Sequence, residues 1–187
     1  MIPRTTAGWQ QQLAEAYTSV EELFAYLEIP GALIPQAQRA SRDFALRVPR
    51  NFASRMEKGN PEDPLLLQVL PRAEELVEHP GFIADPVGDR DRIEAPGVLQ
   101  KYDGRILLIA TGACGVHCRY CFRRHFPYGE SNAGRDRWAE SLDLLSRTPD
   151  IREVILSGGD PLTLSDARLA GLVEALNEIP LSLIHIS

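Results

Sequence analysis

"RILLIATGACGVHCRYCFRR", residues 105 to 124, joins a short apolar run to three cysteines and then to a group of arginines. The first half is an unbroken run of Ile, Leu and Ala closed by Gly112, as expected of a strand buried on both faces. The second half holds every cysteine of the chain, Cys114, Cys118 and Cys121, within eight residues. An odd number of clustered thiols is not a disulfide framework, which spreads an even number along a chain, and it suits a reducing compartment.

Downstream, Trp138, Leu142 and Leu145 recur at helical spacing and predict a helix ending before Pro149. "REVILSGGDPL", residues 152 to 162, reads as a second buried strand stopped by Gly158 and Gly159. Ser165 can then cap a helix that presents Leu169, Leu172, Val173 and Leu176 on one face. Strand, helix, strand and helix in this order predict βαβ units on a parallel sheet, an α/β fold. Ligands of such sheets gather where the strands end, and both unusual motifs, the cysteine loop and "SGGDPL", fall there.

Upstream the pattern is different. Residues 1–95 read as a helical N-terminal region with a connector, and residues 96–187 as the strand-and-helix region. Trp9, Leu13 and Tyr17 are spaced for one helix. Ser19 and Glu22 form a capping-box pattern ahead of Val20, Leu23, Phe24 and Leu27. Gly59, Asn60 and Pro61 predict a turn, with Pro64 at the first position of a short helix. His79 to Gly97, rich in Pro, Gly and Asp, reads as an irregular connector.

Acidic residues outnumber basic ones 26 to 20, a net charge of -6, which argues against a nucleic-acid partner. No apolar run approaches the roughly 20 residues of a membrane helix, and the first residues lack the sections of a signal peptide. No membrane partner and a cytoplasmic location are therefore expected.

Cys114, Cys118 and Cys121 are spaced CxxxCxxC, and thiolates on a tight loop suit an iron–sulfur cluster or zinc. Three ligands leave one iron of a [4Fe-4S] cluster open, where the amino and carboxylate groups of S-adenosylmethionine can chelate. The competing reading is a structural zinc-binding module with His117 or His125 as fourth ligand.

CxxxCxxC with an aromatic residue, Tyr120, before the last cysteine resembles the signature of radical S-adenosylmethionine enzymes. "CRYCFRRHFPY" with "SGGDPL", supported by "FALRVPRNFASRMEKGNPEDPLLLQVL" and "APGVLQKY", resembles the lysine 2,3-aminomutase family over about Phe44 to Pro180. Within it the likeness is to the bacterial branch that makes (R)-β-lysine for elongation factor P. The resemblance implies the first units of a partial (β/α)6 barrel behind the helical N-terminal region, with 96–187 an incomplete barrel of two units and the start of a third. It implies a [4Fe-4S] cluster on Cys114, Cys118 and Cys121, with S-adenosylmethionine contacted by Tyr120, Ser157, Gly158, Gly159 and Asp160. Arg123 would bind the carboxylate of substrate L-lysine as a bidentate fork. Lys101, Tyr102 and Arg105 would contact the phosphate of pyridoxal 5'-phosphate. An external electron donor and the elongation factor P lysyl-transfer system would be partners.

The bland readings are a strand-to-helix turn for "SGGD", a solvated loop arginine for Arg123 and a surface basic pair for Lys101 and Arg105. His117, His125 and His185 are read as satisfied polar residues. The family holds pyridoxal phosphate on a downstream lysine, whereas Lys58 and Lys101 are the only lysines here and neither has that context. "LSLIHIS" lacks the basic stretch that precedes the third strand in relatives. A truncated, inactive enzyme is therefore expected. The enzyme rival is another aminomutase, for example one acting on glutamate.

Overall fold

The computed structural model describes residues 8–130 and 138–179, and 183–186 as backbone. Its described residues form two compact units, 1–83 with 115–124 and 84–114 with 125–187. The chain leaves the second unit after Cys114 and returns to it at His125.

The first unit is built on helices α1 (Trp9–Ala14), α2 (Val20–Leu27), α3 (Ile34–Asp43) and α4 (Arg50–Ala53), joined by short 3-10 turns. Ser19 caps α2 as its sequence position predicts, with its hydroxyl accepting from the Glu22 amide. Val20, Leu23, Phe24 and Leu27 are buried, the single apolar face that their spacing predicts. Each such side chain contributes about 1.5–3 kcal/mol by leaving water. Tyr17 lies beyond α1 and pairs its backbone with Val48 instead of continuing the helix. Pro64 precedes a 3-10 turn over Leu66–Gln68, and the Asp63 carboxylate caps it by accepting from the Leu65 and Leu66 amides. Helix α3 is amphipathic, but the residues it buries are only Ala37 and Ala40, so no bulky apolar side chain marks its inner face in the sequence.

In the second unit five strands lie in the order β1 (Ile93–Ala95), β2 (Val98–Tyr102), β3 (Arg105–Thr111), β4 (Glu153–Gly158) and β5 (Leu183–Ile186). β1, β2 and β3 are antiparallel neighbours, whereas β3, β4 and β5 run parallel. Helices α5 (Ala139–Ser146) and α6 (Asp166–Asn177) form the connections between the parallel strands. The fold class is thus α/β, as the sequence predicts. Two corrections concern its edge: β1 lies inside the stretch read as irregular connector, and β2 extends the sheet with an antiparallel strand too short to announce itself.

Strand periodicity sorts the core. Ile106, Leu108, Ala110, Val154 and Leu156 pack under Trp138, Leu145, Leu172 and Leu176 of the helical layer. Leu99 and Ile109 point to the opposite face and are covered by Phe126, with Leu107 and Tyr128 partly buried beside them. Ser165 caps α6 by accepting from the Arg168 amide. Leu181, Ser182 and Ser187 of "LSLIHIS", together with Pro180, lie outside the described residues, as does the side chain of His185.

Candidate functional site

The C-terminal ends of β3 and β4 are locked together by backbone. The Gly159 amide donates to the Thr111 carbonyl and the Asp160 amide to the Ala113 carbonyl, both at 2.8 Å. Gly158 sits at φ +119°, and a Cβ there would fall 2.3 Å from the Thr111 oxygen. A Cβ on Gly159 would fall 2.2 Å from the Ala113 oxygen and 2.9 Å from Cys114 Sγ. The paired glycines therefore let one strand end press against the other, and they seat the Cys114 sulfur directly on the "SGGD" turn. One Asp160 carboxylate oxygen caps the next 3-10 turn by accepting from the Leu162 amide at 3.0 Å. Ser157 is buried at the end of β4.

Tyr128, the last residue of "CRYCFRRHFPY", has no role assigned in the sequence reading and holds this arrangement from the other side. Its hydroxyl donates to the Gly158 carbonyl at 2.9 Å, its ring meets Phe126 edge-on, and its Cβ would touch a side chain at Gly112 at 3.0 Å. The signal was present in "FPYG", an aromatic pair returning from the cysteine loop, but no local rule assigns it a partner 30 residues away.

In the first unit, Cys118 and Cys121 share a turn in which the Cys121 amide donates to the Cys118 carbonyl at 3.1 Å. None of the three cysteines is in a disulfide, and all are half-buried. Tyr120 is exposed, and a hydrogen bond with Cys118 raises its phenol above the ordinary value. Arg123 is 8% exposed and packs on the Phe122 ring at 5.0 Å, which sets aside the reading of a solvated loop arginine. Arg119 and Arg124 are not a polar fringe either; both are engaged by Glu75. His117 stacks on Phe44 with ring Nδ1 2.9 Å from the Ala45 carbonyl, a satisfied polar residue as expected. Among the described residues, no group of three or more His, Cys, Asp or Glu side chains is arranged to hold a metal ion.

Lys101, Tyr102 and Arg105 stand at the other end of the parallel strands, where β2 turns into β3. Lys101 Nζ pairs with Asp89 at 2.5 Å and donates to the Val87 carbonyl at 2.7 Å, while Arg105 pairs with Glu153 across the strand starts. Tyr102 is exposed. The structure thus does not bring these three to the strand ends that carry Cys114 and Gly159. The second lysine, Lys58, is exposed and pairs with Glu28, which raises its pKa and keeps it protonated. No described helix is long and apolar enough to cross a membrane.

No family model matches the chain. Curated proteins do. It is 46% identical over 173 residues to "L-lysine 2,3-aminomutase" of Escherichia coli, which is 92% of this chain and 50% of that protein. The protein of the same name from Haemophilus influenzae is 42% identical over 179 residues, covering 96% of this chain and 53% of that protein. That of Clostridium subterminale is 30% identical over 173 residues, 92% and 42%. The chain spans about half the length of the curated relatives it matches, and along that span it is similar to proteins named L-lysine 2,3-aminomutase.

Proposed function

We propose that this chain is the cluster-binding part of a radical S-adenosylmethionine enzyme that converts L-lysine to (R)-β-lysine for elongation factor P. The observation that carries the reading is the seating of Cys114 Sγ against Gly159, where the "TGAC" and "SGGD" strand ends meet. A strand end shaped around a cysteine sulfur is more than a strand-to-helix turn requires. The donor chemistry fits a [4Fe-4S] cluster: three cysteines outside any disulfide, spaced CxxxCxxC, with the nearby His117 ring already engaged by Ala45 and Phe44.

In this reading Cys114, Cys118 and Cys121 would hold three irons of the cluster, which would supply the electron for cleavage of S-adenosylmethionine, while pyridoxal 5'-phosphate would supply spin delocalisation. The chain's own residues bind and orient. The strand end Ser157 to Asp160 offers backbone carbonyls and a carboxylate to the methionine ammonium, with the Gly158 carbonyl held by Tyr128. Tyr120 lies open beside Cys118 for contact with S-adenosylmethionine, and Arg123 receives the lysine carboxylate through its planar fork. Contact of Lys101, Tyr102 and Arg105 with the cofactor phosphate requires the pairs with Asp89 and Glu153 to open or to share their cations.

The parallel succession β3, α5, β4, α6 and β5, adjacent in the sheet in chain order, supports the first units of a partial (β/α)6 barrel over 96–187. The face carrying Leu107 and Ile109 would be its interior. Anaerobic reconstitution with iron and sulfide tests the proposal. The expected result is the paramagnetic resonance signal of a reduced [4Fe-4S] cluster that changes on adding S-adenosylmethionine. Tight stoichiometric zinc with no iron would overturn it.

A further inference from the structure

The arginines on either side of Cys121 converge on one carboxylate. Arg119 directs Nε and Nη2 to the two oxygens of Glu75 at 2.9 and 2.6 Å, and its Nη1 donates to the Phe44 carbonyl at 2.7 Å. Arg124 donates to Glu75 Oε2 and to Asp43 Oδ2, each at 2.8 Å. Both guanidinium groups lie over the Phe44 ring, at 5.0 and 5.1 Å. The three charged side chains are 6–14% exposed, so their attraction is little screened by water.

The backbone completes the clamp. The His117 amide donates to the Arg47 carbonyl and the Arg119 amide to the Gln68 carbonyl, at 3.0 and 2.8 Å. These bonds tie the segment that carries Cys118 and Cys121 to Arg47 and to the 3-10 turn over Leu66–Gln68, and the side-chain bonds to Asp43 and Glu75 tie it to α3 and to the 3-10 turn over Ala73–Leu76, all in the first unit. Burying two guanidinium groups is costly unless a shared carboxylate compensates them. Glu75 is that carboxylate. Its bidentate bond to Arg119 sets direction as well as strength.

We propose that Glu75 is a positioning residue: through Arg119 and Arg124 it fixes the turn that holds Cys118 and Cys121. Its service to a cluster rests on the reading above, whereas the positioning itself does not.

The test uses the whole chain, reduced and metal-free, with N-ethylmaleimide labelling followed at each cysteine by peptide mass spectrometry. In Glu75→Gln the labelling of Cys118 and Cys121 rises about tenfold, the factor that corresponds to roughly 1.4 kcal/mol, while Cys114, in the other unit, serves as internal reference and is unchanged. Unchanged rates at Cys118 and Cys121 overturn the proposal. If Glu75→Gln unfolds the unit and all three rates rise alike, Arg119→Lys decides. It keeps the charge and loses the fork, and it must release Cys118 and Cys121 selectively; equal rates at all three overturn the proposal. Reconstitution with iron and sulfide is run in parallel. A wild-type chain that takes up no cluster refutes the functional reading while leaving the labelling result to stand or fall by itself.

Discussion

Gly159 and Cys114 compete for one space: a Cβ on the glycine would lie 2.9 Å from the cysteine sulfur and 2.2 Å from the carbonyl oxygen of Ala113. The Ala113 carbonyl is held in turn by the Asp160 amide, so it cannot retreat without breaking a hydrogen bond.

Gly159→Ala and Gly158→Ala are therefore expected to destabilise the chain by about 2–3 kcal/mol each, the second through its positive φ as well as its clash. Gly171 is the contrast. It is exposed within α6, and an alanine Cβ there would stand in open space, so Gly171→Ala should add about 0.5–1 kcal/mol. Thermal unfolding of the three variants, at roughly 2–4 °C per kcal/mol for a chain of this size, gives opposite signs or refutes the assignment.

Glu75 makes the stability of the first unit depend on pH. Burial by itself raises its pKa, but hydrogen bonds from Arg119, the Arg72 amide and Arg124, with the Arg119 charge, bring it below the usual 4.5. A depressed carboxyl stabilises the fold above pH 4.5 and loses that contribution as pH falls further through the folded value. The melting temperature of wild type should exceed that of Glu75→Gln by a constant margin near neutrality, and the margin should shrink below pH 4.5. A margin independent of pH would show that Glu75 acts through packing alone.

Two basic side chains near the start of β3 should differ sharply. Asp89 is 1% exposed and pairs with Lys101, which is 20% exposed, so Asp89→Asn leaves a half-buried ammonium without its counter-charge and is expected to cost about 2–3 kcal/mol. Arg105 is half exposed, and Arg105→Gln should cost less than about 1 kcal/mol. Urea unfolding of the two variants distinguishes them, and equal losses would contradict the burial that separates the pairs.

Tyr128→Phe removes one hydroxyl and nothing else from the strand-end lock. The expected loss is about 1 kcal/mol, the usual worth of a neutral hydrogen bond, with unchanged labelling of Cys118 and Cys121. A loss near zero would mean that water replaces the hydroxyl at the Gly158 carbonyl.

What the sequence by itself determined are features written in neighbouring residues. Apolar runs stopped by glycine marked β3 and β4, helical spacing marked α2, α5 and α6, and Ser19 and Ser165 marked their caps, because each signal is local and set by backbone geometry. The cysteine spacing and the "SGGD" turn likewise pointed to a candidate site, and Cys114 and Gly159 do lie together where β3 and β4 end. Only the tertiary structure decided what holds that site. Glu75 meets Arg119 across 44 residues, Tyr128 meets Gly158 across 30, and Lys101 turns out to be held by Asp89 at the opposite end of the sheet. Such partners carry no pattern of their own. A buried charge must find its counter-charge wherever the fold brings one, and a glycine required by a neighbouring chain segment looks like a turn until that segment is in place.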